Sequence, residues 1–259
     1  MDDWRNTKPK FLRNPGQSTD EQIDRLINDK FLSLYLIASV FWLVAFLEWT
    51  AKIFNRPRLP GTYAIAAALC TAVTVYQFLR IRRDVRNLKQ GLEGEREVAE
   101  LLDDLKQYGA REVHDVPANN FNVDHVIIST RGIYAIETKK WSKSKNRARI
   151  EFDGQRVTIS GRPSDYDPIK QCRAQAAWVQ DYLGTSTSKR IPVRGVVAFP
   201  GWWVEQLPAA RGADLWVLNP KALAAWIARE PEKLSEEDAA MAALHLQQYV
   251  RNYSASRTG

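Results

Sequence analysis

Residues 121–140 read FNVDHVIISTRGIYAIETKK, a pattern that few structures satisfy. Two short apolar runs flank the polar turn STRG at 129–132, which predicts a β-hairpin. Because successive side chains of a strand point to opposite faces, Glu137 and Lys139 share one face of the second strand. Asp124 lies near the start of the first strand, opposite the end of the second. We therefore expect the hairpin to bring an aspartate, a glutamate and a lysine together at one end of a sheet.

These three charged residues lie within or beside apolar runs. Burying a charge costs free energy, so charges at such positions indicate a functional role. Two carboxylates beside a lysine can hold a divalent metal ion next to a cation, an arrangement that suits phosphodiester cleavage. The other interpretation is that they are ordinary charges at strand ends that face water. His125 points to the face opposite Asp124 and is expected to be a packing or surface residue.

The formal net charge of +7 is unevenly distributed along the chain. Residues 80–89 carry five basic residues and one acidic residue, and residues 139–149 carry six basic residues and no acidic one. Two such segments predict two polyanionic partners, or two faces of one partner. The two cysteines, Cys70 and Cys172, support neither a disulfide framework nor a cysteine-based zinc site.

Two uncharged apolar runs precede the hairpin, at residues 31–47 and 62–79. Each approaches the roughly 20 residues that a helix needs to cross a bilayer, so they predict a transmembrane helical hairpin. A pair of buried core helices is the alternative. Because positive charge concentrates on the cytoplasmic side, the cluster at 80–89 predicts a multi-pass protein of the plasma (inner) membrane with both termini cytoplasmic. Anionic lipid head groups are then expected partners.

We expect five parts along the chain. They are an N-terminal segment with a short helix at 1–30, the membrane hairpin at 31–79, a basic linker at 80–90, an α/β domain at 91–220 and C-terminal helices at 221–259. The first seventeen residues are expected to be disordered, and a capping-box spacing at 19–22 predicts the start of the short helix. Further helices are predicted at 95–107, 167–183, 221–229 and 235–253, and further strands at 149–159, 193–199 and 215–218.

Four ordered blocks carry a resemblance to a known family. They are Gly94-Glu95 at a helix start, Asn122-Val123-Asp124-His125-Val126, Gly132-Ile133 with Ile136-Glu137-Thr138-Lys139, and Asp167-Pro168 with Gln171 in a helix. Over about residues 91–183 the chain resembles the nuclease-related domain, NERD, of the restriction-endonuclease-like superfamily with its PD-(D/E)-x-K motif. Val123 stands where that motif has proline. The resemblance implies an α/β core with a mixed sheet flanked by helices, placed after the membrane hairpin.

The resemblance also implies the roles of individual residues. Mg²⁺, or Mn²⁺ in its place, would be held by Asp124, Glu137, the Thr138 carbonyl and Glu95, since these are hard oxygen ligands. Lys139 would orient or deprotonate the attacking water, and Gln171 would hydrogen-bond that water or Lys139. The implied catalytic residues are Glu95, Asp124, Glu137, Lys139 and Gln171.

The resemblance implies a metal-dependent nuclease at the cytoplasmic face, with DNA favoured over RNA as substrate. The basic stretch after the hairpin is expected to meet phosphates, with an aromatic ring stacked on an exposed base. The expected contacts are Lys140, Trp141, Lys143, Lys145, Arg147 and Arg149. Trp202 and Trp203 are expected to pack or to form a partner surface rather than to contact substrate. A homo-oligomer or an unspecified partner chain is a further expectation. The alternatives are a solvated basic loop and, for the whole protein, a catalytically weak or inactive nucleic-acid sensor tethered to the membrane.

Overall fold

The computed structural model forms two compact units. The larger unit combines the described residues up to Ser18 with Gly91–Gly259, and the smaller unit is Thr19–Gln90. The structure describes residues 13–53, 60–103, 105–106, 109–118, 120–142, 148–163 and 167–258.

Helices make up the described chain from Gln17 to Asp103. They are α1 (Gln17–Arg25), a π-helical segment (Leu26–Phe31), α2 (Leu32–Ile53) and α3 (Pro60–Asp103). The sequence predicted separate helices at 62–79 and 95–107, but α3 continues through Gly91. A single glycine costs a helix interior only about 1 kcal/mol, and the leucine, glutamate and lysine residues around it favour the helix. Helix α1 begins two residues before the predicted capping box, where the Gln17 amide donates to the Asn14 carbonyl at 3.1 Å.

The predicted transmembrane hairpin at 31–79 is not confirmed. Within the described part of the chain, none of the helices has both the length and the continuous apolar character that crossing a membrane requires.

The larger unit is built on a mixed sheet flanked by helices, as predicted. Its strands are β1 (Arg111–Pro117), β2 (Asn122–Ser129), β3 (Gly132–Thr138), β7 (Val193–Ala198) and β9 (Trp216–Leu218). They lie in the order β1-β2-β3-β7-β9, with β1 to β3 antiparallel and β3, β7 and β9 parallel.

A second sheet was not predicted. Its strands are β4 (Ile150–Phe152), β5 (Val157–Ile159), β6 (Arg162–Pro163) and β8 (Val204–Gln206), and they lie in the order β6-β5-β4-β8. The turn at Asp153-Gly154 does join β4 to β5, but β8 pairs in parallel with β4 across about fifty residues of chain. No local pattern specifies such a long-range partner.

The register of the β2–β3 pair fixes which residues share a face. Val126 lies opposite Ala135, and His125 lies opposite Ile136. Asp124 and Glu137 are therefore the next residues outward on the face of Val126 and Ala135. That face packs under the helices α4 (Pro168–Thr187) and α6 (Glu236–Thr258), whereas the face of Ile136 packs against α3 and α5 (Leu223–Arg229).

Helix α4 is well specified by its first residues. The Asp167 carboxylate accepts hydrogen bonds from the amides of Ile169 at 3.0 Å and Lys170 at 3.3 Å, and Pro168 occupies the first turn. Both features favour helix initiation at this point. The helix buries one side against the sheet and places Gln171 and Gln175, four residues apart, on a common face.

The three parallel strands end at the same edge of the central sheet. Beyond the strand ends, the Lys139 amide donates to the Ala198 carbonyl at 2.8 Å and the Phe199 amide donates to the Leu218 carbonyl at 2.9 Å. In open α/β sheets, ligands commonly bind outside the carboxyl ends of the strands. The edge that contains Lys139 is therefore the first place to look for a site.

A histidine pair lies on β1 and β2, on the face of the sheet opposite that of Asp124. His114 and His125 are opposite each other in the β1–β2 ladder, and their Nδ1 atoms are 2.9 Å apart. His125 is completely buried, and this burial, together with the neighbouring His114, lowers its pKa well below the ordinary value. The neutral imidazole is therefore the form that the fold stabilises.

Acid should destabilise the fold through His125. Because its folded pKa lies below the unfolded value of about 6.5, the unfolded chain binds more protons as the pH falls below about 6.5, and stability decreases. We expect the free energy of unfolding, measured by urea denaturation between pH 7.5 and 5.5, to fall less steeply in His125→Leu than in the wild type. His245→Gln is the control and should keep the wild-type slope. Equal slopes for all three proteins would show that His125 does not carry the effect.

Candidate active site

Asp124, Glu137 and Lys139 converge at the end of the β2–β3 pair. The Thr138 amide donates a hydrogen bond of 2.7 Å to Oδ2 of Asp124, which fixes this carboxylate across the two strands. Glu137 is buried, and its Oε1 forms an ion pair with Nζ of Lys139. The residues that the alternation of the strands placed together thus meet in three dimensions.

Helix α4 covers this group with two glutamines. Nε2 of the completely buried Gln175 donates to Oε2 of Glu137 and, at 2.8 Å, to the Asn122 carbonyl. Nζ of Lys139 donates to Oε1 of Gln171 at 3.4 Å. Gln171 was predicted to contact Lys139, but Gln175 was missed. Its position one helical turn after Gln171, on the same face, was the signal that could have identified it.

The electrostatics of the site are dominated by two neighbouring acids, the buried Glu137 and the partly exposed Asp124. Burial raises the pKa of Asp124 well above its ordinary value, and the nearby charges of Glu137 and Glu95 raise it further. The Thr138 amide and Lys139 oppose this shift only in part. The site therefore favours whatever neutralises the acids, either a proton or a bound cation.

Glu95 lies on the α3 side of the site, where the chain before Ser18 passes. Its Oε2 lies 3.2 Å from where a Cβ atom on Gly16 would stand, and its charge acts on Asp124. Among the described residues, however, no three histidine, cysteine or acidic side chains form a group that could hold a metal ion. Glu95 is thus an electrostatic neighbour of the two acids and does not complete a three-acid cluster with them.

The donor atoms at this site fit a hard divalent ion. Mg²⁺ usually takes one or two protein carboxylates and keeps several waters, so a three-acid cluster is not required. One further buried oxygen beside Glu137, Oε1 of Gln175, has no hydrogen-bond partner within the described part of the chain. Asp124, Glu137 and this oxygen are all oxygen donors, which suits Mg²⁺ or Mn²⁺.

Behind the site, Asp115 organises a second group of polar residues. It is buried and has a left-handed φ of 48°, a conformation that aspartate adopts more readily than most residues. Its carboxylate accepts hydrogen bonds from the Ser18 amide at 2.8 Å, the Ser18 hydroxyl at 2.7 Å and the Asn122 side chain at 2.9 Å. Nε of the buried Arg13 lies 2.9 Å from Oδ2 of Asp115.

These contacts correct one prediction and extend the site. Residues 13–17 were predicted to be disordered, but buried Arg13 and the turn that starts α1 hold them against the larger unit; residues 1–12 lie outside the described residues. The hydrogen bonds also form a continuous path from Asp115 through Asn122 and Gln175 to Glu137. The described end of the N-terminal segment is thus connected to the position of a candidate metal ligand.

The basic stretch is partly described. Nζ of Lys140 lies 3.4 Å from a Glu97 oxygen and 3.7 Å from a Glu93 oxygen, and Nε of Arg149 lies 2.7 Å from Glu151 and 3.1 Å from Glu205. Such exposed pairs contribute little stability, so a phosphate can replace the carboxylate at small cost. The remaining predicted contacts, Lys143, Lys145 and Arg147, lie outside the described residues.

Trp141 packs against the protein core, whereas stacking on a base needs an exposed ring. Its ring packs edge-on against Phe199 with centroids 4.9 Å apart, and the side chain joins the core cluster beneath the second sheet. Its backbone carbonyl accepts a hydrogen bond of 3.0 Å from Nε1 of Trp202. Part of the Trp141 ring surface is therefore used in packing within the protein.

Replacing Asp115 tests the polar group behind the site. In Asp115→Ala the buried Arg13 loses its ionic partner, and unpaired buried charges typically cost about 3–5 kcal/mol. We expect the free energy of unfolding from urea denaturation to fall by about this amount. Asp181→Ala, which removes an exposed aspartate on α4, should change it by less than about 0.5 kcal/mol. Similar values for the two variants would mean that the Asp115 contacts do not stabilise the fold.

Comparison with known proteins identifies one related family. The model of the nuclease-related domain, NERD, matches residues 90–200. This range includes all the predicted catalytic residues as well as Asn122 and Gln175, and it excludes Arg13 and Ser18. No curated protein and no solved structure matches the chain. Residues 90–200, which carry Asp124, Glu137 and Lys139, are therefore similar to the nuclease-related domain family.

Proposed function

We propose that this protein is a Mg²⁺-dependent nuclease that hydrolyses phosphodiester bonds of nucleic acid, with DNA favoured over RNA. One observation carries the proposal: the buried Glu137 lies beside the partly exposed Asp124 and raises its pKa, with the ammonium of Lys139 in contact with Glu137. A fold gains nothing in stability from placing two acids side by side, so this arrangement supports a functional role. The similarity of residues 90–200 to a nuclease-related family agrees with it.

Each residue has a defined task in the proposed reaction. Asp124 and Glu137 would hold Mg²⁺, which when bound would offset negative charge on the oxygens of the phosphate during displacement. Gln175 keeps Glu137 in place through its side-chain amide. Lys139, supported by Gln171, lies where its ammonium can orient the attacking water and offset charge on the phosphate.

Substrate attraction is proposed to come from the basic stretch at 139–149. Its charges would meet phosphates without reading sequence, and the affinity should fall as salt rises. The exposed pairs of Lys140 and Arg149 support this role, because phosphate can take the place of their present carboxylate partners.

The decisive experiment measures cleavage of labelled linear and plasmid DNA by the full chain, with Mg²⁺ or with EDTA. We expect cleavage only with Mg²⁺, and a loss of at least about 100-fold in Asp124→Asn and Glu137→Gln, since even residues that only support metal ligands cost 10- to 100-fold. Asp181→Asn is the matched control, because it makes the same chemical change at an exposed position. Cleavage that persists in EDTA, or equal rates for wild type and Asp124→Asn, would refute the assignment.

One observation favours a second candidate, a nucleic-acid-binding module with little or no hydrolysis. Both carboxylate oxygens of Glu137 are already engaged, one by Lys139 and one by Gln175. If these contacts persist, metal binding is weakened and binding through the basic stretch remains. This alternative requires salt-dependent DNA binding that survives in Asp124→Asn and Glu137→Gln, with no turnover by the wild type.

We also propose that the smaller unit contacts a lipid bilayer at the cytoplasmic face of the plasma membrane. Its helices expose many large apolar side chains, more than a protein surface in water normally carries. Examples are Tyr35, Phe46, Trp49, Ile65 and Tyr76. The basic residues at 80–89 would add attraction to anionic head groups.

Flotation of the full chain with vesicles tests the lipid proposal. We expect it to float with vesicles that contain phosphatidylserine, and to float less when Arg82, Arg83 and Arg86 are all replaced by glutamate, because each lost cation removes about 1 kcal/mol of attraction. Replacement of the same three residues by lysine is the matched control. A wild-type protein that stays at the bottom of the gradient with every vesicle composition would contradict the proposal.

A further inference from the structure

We infer that Trp203 and the pocket beside it form a subsite for an unpaired nucleobase, so that the preferred substrate carries a single-stranded segment. This inference rests on the proposed function and specifies its substrate.

Trp203 is unusual among the side chains of the larger unit. It is 73% exposed, and among the described residues of that unit the other exposed large apolar side chain is Leu244, at 51%. Trp203 borders a pocket of about 410 Å³ whose lining also includes Trp202, Asn219, Lys221 and Trp226. Exposing an indole to water is unfavourable, so its position at the mouth of an aromatic pocket suggests that a ligand covers it.

The pocket lies at the same sheet edge as the candidate active site. It is lined by Leu218 and Asn219, where β9 ends, and the Asn219 side chain donates to the Trp202 carbonyl at 2.8 Å. Strands β3, β7 and β9 are consecutive and parallel, so their carboxyl ends are about 5 Å apart from one to the next. The end of β9 is therefore about 10 Å from the backbone of Lys139, which a single nucleic-acid strand can span.

Hydrogen bonds also connect the pocket to the basic stretch. The Trp202 indole donates to the Trp141 carbonyl at 3.0 Å, and the Ile150 amide donates to the Trp203 carbonyl at 2.9 Å. The two ends of the stretch between residues 141 and 150 are thus both attached to this tryptophan pair. Arg149, which precedes Ile150, is therefore close to Trp203, so a nucleic-acid strand bound by Arg149 can reach the indole.

The chemistry of the pocket fits a base better than an apolar peptide. An exposed indole stacks on any nucleobase, and the exposed ammonium of Lys221 can meet a neighbouring phosphate. Bases of a duplex have both faces covered by their neighbours, whereas an unpaired base does not. Trp141, the residue expected to stack, is packed against Phe199, which leaves Trp203 as the better platform.

The test compares affinities of the full chain for fluorescent single-stranded and duplex DNA of one sequence, by anisotropy in EDTA. Loss of one base-stacking platform should weaken single-strand binding in Trp203→Ala by about 5- to 150-fold and leave duplex binding within about twofold. Trp203→Phe should restore most of the affinity, because phenylalanine keeps an aromatic face. Leu244→Ala, which removes the other exposed apolar side chain, should bind as the wild type does.

The outcomes separate this inference from the proposed function. Two results with a DNA-binding wild type would refute the subsite and leave the nuclease proposal intact. In the first, Trp203→Ala binds single-stranded DNA as tightly as the wild type does. In the second, its affinities for single-stranded and duplex DNA fall equally. Loss of binding to an apolar peptide instead of to DNA would assign the pocket to a protein partner and overturn the inference. If the wild type neither binds nor cleaves nucleic acid, the proposed function fails first.

Discussion

The chemistry of the larger unit depends on two carboxylates held together on one strand pair, of which Glu137 is buried and Asp124 is partly exposed. Burial and mutual repulsion both oppose their ionisation, and this is why the pKa of Asp124 is raised. Three donors offset part of the cost: the Thr138 amide at Asp124, and the Lys139 ammonium and Gln175 amide at Glu137. A divalent cation would offset the repulsion that remains between the two carboxylates. The repulsion that lowers the stability of the fold would thus increase its affinity for a metal ion.

The parts of the site that lie on one hairpin could be predicted from the sequence, because strand alternation is strictly local. Two apolar runs and a four-residue turn fix the faces of Asp124, Glu137 and Lys139, and the structure places them accordingly. Gln171 could be placed as well, since Asp167 and Pro168 mark the first turn of its helix. The geometry of these residues supports the proposed action on nucleic acid, and activity measurements test it.

The parts that escaped prediction depend on contacts between distant segments. Ser18 and Asp115 are separated by 97 positions, and nothing near either residue signals their hydrogen bond. Gln175 shares a helix face with Gln171, but its contact with Glu137 is fixed only when β2 and β3 lie beneath α4. Phe199 packs against Trp141, and Trp203 borders a pocket at the end of β9. Neither environment can be predicted from the sequence near the two tryptophans. The second sheet needs β8, a strand of three residues with no periodicity to detect.

The most direct test of the account locates the metal ion itself. Crystals of the full chain grown with Mn²⁺ would show the ion by its anomalous scattering. The account predicts an ion at about 2.0–2.3 Å from carboxylate oxygens of both Asp124 and Glu137, with the ammonium of Lys139 moved off Oε1 of Glu137. A site without manganese at saturating concentration, in which Lys139 still pairs with Glu137, would contradict the central claim that these two acids bind a metal ion together.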